Sequence, residues 1–433
     1  MSLVEKISLE DISSKSYKNQ VMESLEYGKA ALTHYLHNSK NGVSKYYKNE
    51  AVAYVKHALE YKYPESDINN VVAETALQYL LFENECAKVE FPAPESPKFK
   101  FIDLFAGIGG FRIAAQSVGG KCVFTSEWDE YSKKTYQTNF GDTPFGDITK
   151  PETKKFIPKS FDVLCAGFPC QPFSYAGLNK GFEDLTRGTL FFDILEILRK
   201  SQPQIFLLEN VKGLKSHDGG KTLTIIEKSL TELGYNIHWT VLNSYDFGLP
   251  QYRERWYCVG FKDKVNFKFP VGNKRGVKLK SIIDPHSNND PRLRLSEFET
   301  ERINYHFKST LKRVQHDNSK YQLETKKGRH GVFSFQKPGG ALRFHIGDAA
   351  KTQIQEAFYA CCETYAPTII ANRVPKLWDL NRKLSVLEAQ RLQGFPDNFR
   401  FLVSDNQAYK QLGNSVAIPV LKAIFDEMVK HLK

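Results

Sequence analysis

No run in this 433-residue sequence stays apolar for the roughly 20 positions that a bilayer-crossing helix needs, so nothing in it reads as a membrane span. The opening residues, MSLVEKISLEDISSK, carry acids and lack an apolar core, and no export signal is expected. Cysteine is scarce: there are seven, irregularly spaced and without a Cys-x-x-Cys pair. That argues against a disulfide framework, leaves no zinc-binding spacing, and points to a reducing cytoplasm. No metal is expected. Internal repeats and long low-complexity tracts are also missing. A phosphate-binding loop is absent too, because HDGGKT at 217–222 has Lys215 where the G-x-x-x-x-G-K spacing requires glycine.

Net charge is +11, and it is unevenly placed. Residues 1–97 hold 10 Lys and Arg against 14 Asp and Glu, whereas 270–345 hold 16 against 7, with five histidines. The second segment suits a polyanion such as nucleic acid, although a solvated basic face would show the same count.

Residues 1–90 read as helical, with apolar residues at helical spacing in VMESLEYGKAALTHYL and NNVVAETALQYLLF. Three prolines in VEFPAPESPKFK mark a linker near 91–97. Beyond it, the short β-rich runs KFKFIDLF, KCVFTSE, FDVLCAG, QIFLLEN, NIHWTVLN and RWYCVGF alternate with helix-like stretches. This predicts a parallel α/β sheet covered by helices on both faces. Regularity fades from about 263 to 366. It returns at 384–394 and in IPVLKAIFDEMVKHL, where Ile418, Leu421, Phe425, Met428 and Leu432 share a helical face.

Two groups of residues point to chemistry. In FIDLFAGIGGFR an apolar strand runs into Gly107 and Gly109 and then a helix. Glu127 closes the next strand about 20 residues on, where an acid grips ribose hydroxyls in nucleotide-binding sheets. Trp128 could stack on a flat base, and Asp147, in FGDIT, could meet an adenine amino group. A tight structural turn and a surface acid would leave the same trace. The second group centres on AGFPCQPFSYAG, where prolines stiffen the loop around Cys170. A thiolate there could attack an electron-poor carbon, against the alternative of an inert buried cysteine. Glu209 and Asn210 end another apolar strand, and Gln251, Arg253 and Arg255 precede a third, with the two arginines on one side. In a doubly wound sheet such strand ends converge along one edge.

The ordered motifs FIDLFAGIGGFR, EWD, GDIT, GFPCQPFS, RGTLFFDILEIL, ENVKGLKSHDGGKT, QYRER, RKLSVLEAQRLQGFPD and QLGNSVAIPV span roughly 99–433. In this the chain resembles DNA (cytosine-5) methyltransferases, with a bacterial Dcm-like flavour. The resemblance implies a Rossmann-like fold for S-adenosylmethionine-dependent methyl transfer and a smaller target-recognition lobe. The division it implies is a helical extension at 1–97, a catalytic domain at 98–262, a recognition lobe at 263–372 and a closing segment at 373–433. It places S-adenosylmethionine against Phe105, Gly107, Gly109, Glu127, Trp128, Asp147, Leu190, Asn414 and Ser415. Cys170 becomes the nucleophile on C6 of a flipped cytosine, Glu209 the proton donor to N3, and Arg253 and Arg255 the holders of base and backbone. Ser174, Gln251, Thr368, Asn372 and Arg373 are the implied DNA contacts, and Arg329, His330 and Arg343 are expected beside them as base-reading residue types in the basic segment. The partner is double-stranded DNA; the resemblance leaves open a cognate restriction endonuclease as a functional companion, or an orphan methylase without one. The protein is expected to be monomeric, in the cytoplasm with the nucleoid. The tRNA-modifying branch shares most of these motifs, but its Cys-Phe-Thr motif does not occur here. A noncatalytic DNA-binding regulator would show an eroded motif, and none is eroded. A nucleotide-dependent oxidoreductase would leave Cys170, Glu209 and the arginine pair unexplained.

Overall fold

A computed structural model describes residues 22–39, 42–86, 89–169, 190–274, 276–297, 299–301, 314–316, 331–336, 342–347, 355–371 and 374–433. The described N-terminal residues hold three α-helices: α1 (Met22–Asn38), α2 (Lys48–Lys62) and α3 (Asn70–Cys86). On α2, Ala51, Val52, Val55, Ala58 and Leu59 are buried, and on α3 so are Ala73, Ala76, Leu77 and Leu80. Each set falls at helical spacing and makes one apolar face.

All six expected strand runs are strands: β1 (Phe99–Leu104), β2 (Gly120–Ser126), β3 (Val163–Gly167), β4 (Ile205–Val211), β5 (Asn236–Asn243) and β7 (Glu254–Phe261). They form one sheet in the order β2-β1-β3-β4-β7-β5. Pairing is parallel from β2 to β4, but β7 runs antiparallel to both β4 and β5. The expectation of a wholly parallel sheet is corrected there. Only residues 244–253 connect β5 to β7, fewer than the dozen or more that a parallel crossover requires. FGDIT adds no full strand; Phe145 makes a single bridge to Ser126 beside β2.

Alternation along the strands feeds two apolar layers. Ile102, Leu104, Leu164, Leu208 and Trp256 face one side, together with α6 (Leu190–Ser201), α7 (Lys221–Glu232) and the N-terminal helices. Phe101, Val163, Leu207 and Tyr257 face the other, with α4 (Gly110–Gln116), α5 (Glu130–Phe140) and the chain's last helices. Those are α8 (Val386–Gln393), α9 (Asp405–Asn414) and α10 (Ile418–Met428). Ser385 and Glu388 form a capping box that starts α8. The expected apolar face of α10 is buried at Ile418, Leu421, Phe425 and Met428. Leu432 falls beyond the helix, after a 3-10 turn.

A second sheet has the order β14-β13-β11-β10-β9-β8. Its strands are β8 (Val314–His316), β9 (Gly331–Gln336), β10 (Leu342–Gly347), β11 (Gln355–Ala360), β13 (Lys376–Leu377) and β14 (Arg382–Lys383). Sequence regularity gave no sign of β8 to β11. Among the described residues no helix is long and apolar enough to cross a membrane.

Candidate active site

The ends of β1, β2, β3 and β4 lie level, with Leu104 beside Ser126 and Gly167 beside Glu209. Just past these ends is a cavity of about 760 Å³. It gathers residues far apart in sequence: Phe105 and Gly107, Glu127 and Trp128, Asp147, Leu190, Glu209, Arg253, Arg255 and Asn414. Every expected cofactor residue except Gly109 and Ser415 therefore lines the same space as the expected Glu209 and arginine pair.

The turn after β1 explains one end. Phe105 and Gly107 both have left-handed backbones, with φ of 56° and 54°. A side chain on Gly107 would meet nothing within 4 Å, so this glycine leaves a cradle open. Gly109 (φ 88°) is held differently: a Cβ there would strike the Phe140 ring at 2.2 Å. It starts α4 and supports the turn from beneath.

Glu127 ties the turn to β2. Its Oε2 accepts from the Gly107 N–H at 2.7 Å, and its Oε1 from the N–H groups of Trp128 (2.9 Å) and Asp129 (2.8 Å). Burial pushes its carboxyl above the usual range, and these three N–H groups pull the other way. Three bonds on a carboxylate with about four acceptor positions leave room for a ligand hydroxyl beside the cradle. Trp128 is 76% exposed at the rim, a flat apolar surface open to a base. Asp147 Oδ1 caps the Thr149 N–H at 2.9 Å. A ribose against Glu127, a purine against Trp128 and the open flank of Gly107 suit S-adenosylmethionine in shape and polarity.

The other end of the cavity is ionic. Glu209, the last-but-two residue of β4, is buried, with Oε1 at 3.2 Å from Arg255 Nε. Burial pushes its carboxyl up from the ordinary range, while Arg255 and then Arg253 draw it back. Such an acid can carry a proton nearer neutrality than a solvated glutamate can. Arg253 is also buried, and its guanidinium donates to the carbonyls of Ile369 (2.9 Å), Gly413 (3.4 Å) and Ser415. Burial and then the charge of Arg255 push its pKa down. Arg253 thus spans three segments, and Ser415 meets it through its backbone oxygen.

Cys170 and Ser174 lie outside the described residues. Residues 167–169 just before Cys170 line the cavity, as does Leu190. Asn210 fastens that approach: its Nδ2 donates to the Phe168 carbonyl at 2.9 Å and its Oδ1 accepts from the Val211 N–H. Lys410 and Gln411 of α9 also line the cavity and were not singled out from sequence; the QLGNSV motif pointed there, but only to its later residues.

Gln251 requires a correction. Expected to touch DNA, it is fully buried and committed to protein. Its Nε2 donates to the Leu392 carbonyl and to Gln393 Oε1, and its Oε1 accepts from the Ile369 N–H. The short strands β6 (Gln251–Tyr252) and β12 (Ala366–Pro367) pair beside it. Thr368, half-buried, donates from Oγ1 to the Tyr252 carbonyl at 2.7 Å. Arg343 occupies β10 opposite Phe335 and Phe358. Arg329, His330, Asn372 and Arg373 fall outside the described residues.

Comparison with known proteins shows the family to which the chain belongs. A family model described as C-5 cytosine-specific DNA methylase matches residues 99–430. The type II methyltransferase M.HpaII of Haemophilus parainfluenzae is 43% identical over 378 residues, 84% of this chain and 97% of that protein. M.HhaI of Haemophilus parahaemolyticus is 39% identical over 341 residues, 78% and 96% respectively. Among solved structures, the Dnmt2 methyltransferase of S. pombe matches 77% of this chain and 99% of its own at a TM-score of 0.54, with 17% identity, a likeness of fold. The chain belongs to the C-5 cytosine-specific DNA methylases, which transfer a methyl group from S-adenosylmethionine to C5 of cytosine in DNA.

Proposed function

We propose that this methylase modifies one cytosine within a short duplex DNA sequence, extruding the base into the cavity because its reactive atoms are inaccessible in the stack. The carrying observation is that buried Glu209, paired with half-buried Arg255, shares one cavity with the Glu127–Gly107 cradle. Cys170 adds as a thiolate to C6 while Glu209 gives a proton to N3, so C5 becomes nucleophilic. When bound, S-adenosylmethionine supplies an electrophilic methyl group on sulfonium sulfur, and C5 takes it. Loss of the C5 proton to a base, with the N3 proton returning to Glu209, then restores the ring and breaks the sulfur–C6 bond, releasing the Cys170 thiolate. Arg255 holds Glu209 and the base edge. Arg253, with its contacts to Ile369, Gly413 and Ser415, sets the wall on which they stand. Glu127 takes the donor's ribose, Trp128 and Asp147 its adenine, and Phe105, Gly107, Leu190 and Asn414 its remaining surface.

The proposed division is 1–97, 98–262, 263–372 and 373–433. The third part reads sequence, through residues such as Arg329, His330, Arg343, Thr368, Asn372 and Arg373, whose side chains match base edges. The relatives' type II designation supports a role in protecting a site that a companion restriction endonuclease cleaves, with the methylase acting as a cytoplasmic, nucleoid-associated monomer. Bisulfite sequencing of DNA from cells expressing the protein tests this. Methylation should fill a single sequence context and vanish with Cys170→Ser. Methylation that persists in the serine variant overturns the thiol's role, and scattered methylation overturns the specificity.

A further inference from the structure

The three N-terminal helices lie outside the residues that the family model matches, yet they close on the wall of the donor side of the cavity. The contact passes through Phe145. Its N–H donates to the Thr125 carbonyl and its carbonyl accepts from the Glu127 N–H, both at 2.9 Å. Its ring is fully buried, stacked on Phe124 (centroids 5.2 Å apart) and Phe156 (4.6 Å). The ring is also packed by His34 of α1, at 4.8 Å, and by Tyr47 at the start of α2, at 5.9 Å. The four residues after Phe145, which include Asp147, line the cavity.

Other bonds from the same helices fix the same segment. Tyr47 donates its hydroxyl to the Val123 carbonyl on β2, the strand that leads into Glu127. Thr33 Oγ1 accepts from the Thr143 N–H at 3.0 Å. His37 pairs with Asp142, whose other oxygen holds Arg112. His34 is not an ordinary filler. Its Nδ1 is bonded to the Ala30 carbonyl, while its buried Nε2 has no hydrogen-bond partner. A leucine would fill the space without the cost of that unpaired nitrogen. What the imidazole adds is a flat, tethered ring whose orientation against Phe145 is set by its Ala30 bond.

We propose that the N-terminal helical unit is part of the donor site: His34 and Tyr47 are positioning residues that hold Phe145, and through it Glu127 and Asp147, in the geometry that binds S-adenosylmethionine. The inference rests on the reading of this cavity as the donor site. It assigns the extension a task in the known reaction without any direct contact with DNA. A backbone pinned on both sides is preorganised, so the donor does not have to order it on binding.

Calorimetric titration of the full-length protein with S-adenosylhomocysteine tests the proposal, using His34→Ala, Tyr47→Phe, His34→Phe and, for comparison, Leu77→Ala in α3. His34→Ala should raise Kd about tenfold, the loss expected when one good hydrogen bond's worth of alignment disappears. KM for the donor should rise in step, with kcat at saturating donor and KM for DNA little changed. Hydrogen exchange at the amides of residues 145–149 should quicken. His34→Phe, which restores a ring against Phe145 but not its Ala30 tether, should recover part of the affinity, and Tyr47→Phe should weaken binding slightly. Leu77→Ala should lower the melting temperature and leave Kd alone. The proposal fails if His34→Ala and Tyr47→Phe both bind as wild type does, or if Leu77→Ala weakens binding as much as they do. A wild-type protein that does not bind S-adenosylhomocysteine sinks the donor-site reading itself, a result distinct from the first two.

Discussion

Glu127→Gln replaces one oxygen by nitrogen, and the structure says the cost is out of proportion to that change. Both carboxylate oxygens of Glu127 accept from backbone N–H groups: Gly107 on one side, Trp128 and Asp129 on the other. A glutamine has a single oxygen, so whichever way it turns, its NH₂ faces at least one of these donors. With the oxygen toward Trp128 and Asp129, the Gly107 N–H is left opposite another donor, and the left-handed turn loses its tie to β2. An unsatisfied buried donor costs about 1–3 kcal/mol, and a charge-assisted bond exchanged for a neutral one loses about 1 kcal/mol more. The sum is about 2–4 kcal/mol, shared between fold and donor binding. If half falls on binding, Kd for S-adenosylhomocysteine rises about five- to thirtyfold. Titration calorimetry and thermal melting measure the two shares. Glu127→Ala supplies the contrast: it lets water from the open cavity reach the freed N–H groups, so it should melt no lower than the glutamine variant while binding the donor weakly. A glutamine variant with wild-type melting temperature and wild-type Kd would refute the reasoning, since it would mean that the carboxylate ties nothing.

Burial raises the carboxyl of Glu209, and a proton donor must be protonated, so kcat should fall as pH climbs through that raised value. Glu209→Gln should remove this limb from the pH–rate profile along with about 10²-fold of rate, and Arg255→Ala should move it to higher pH. Gln251→Ala should lower the melting temperature, since three bonds joining β6, residue 369 and α8 are lost. The bisulfite pattern should keep its sequence context; a changed context would return Gln251 to base readout. Asp142 is buried, which disfavours its charge, yet His37 and Arg112 hold its carboxyl far below the usual range. Its stabilising share is therefore complete above roughly pH 4 and lost as the pH falls further. Asp142→Asn should cost about 3–5 kcal/mol at neutral pH and flatten the acid limb of the melting curve, because Arg112 is left buried and unpaired.

The six sheet strands and the ends they bring together were legible because each carries a local signal. Apolar runs of five to eight residues stop at an acid or a glycine, and in a doubly wound sheet such stops meet at one edge. Glu127 and Glu209 are legible in this way, and Arg253 and Arg255 by their alternation at the start of β7. Gln251 was misjudged because a polar residue beside two arginines reads the same whether it faces DNA or a neighbouring carbonyl. Only the long-range contacts with Ile369 and Leu392 decide between the two. Strand direction failed for a similar reason: β7 reads as an ordinary apolar strand, and its reversal depends on the length of the connection from β5. The work of His34 was illegible altogether. A lone histidine on an apolar helix face says nothing about Phe145, which lies 111 residues further on.

The return of the chain's end to the sheet has a consequence for when the enzyme comes into being. Arg253 and the cavity wall depend on carbonyls at 413 and 415, Thr135 of α5 bonds Gln411, and Phe425 of α10 packs against Phe99 on β1. Among the described residues, by contrast, the N-terminal helices bond and stack on Val123, Thr143, Phe145 and Phe156, all synthesised before residue 160. A ribosome therefore releases an assembled extension and most of a sheet well before it releases a closed cavity. The nascent chain holds no competent methyl-transfer site until its final helix is free to fold back. A message broken upstream of α9 would yield a protein without the 413 and 415 carbonyls that hold Arg253.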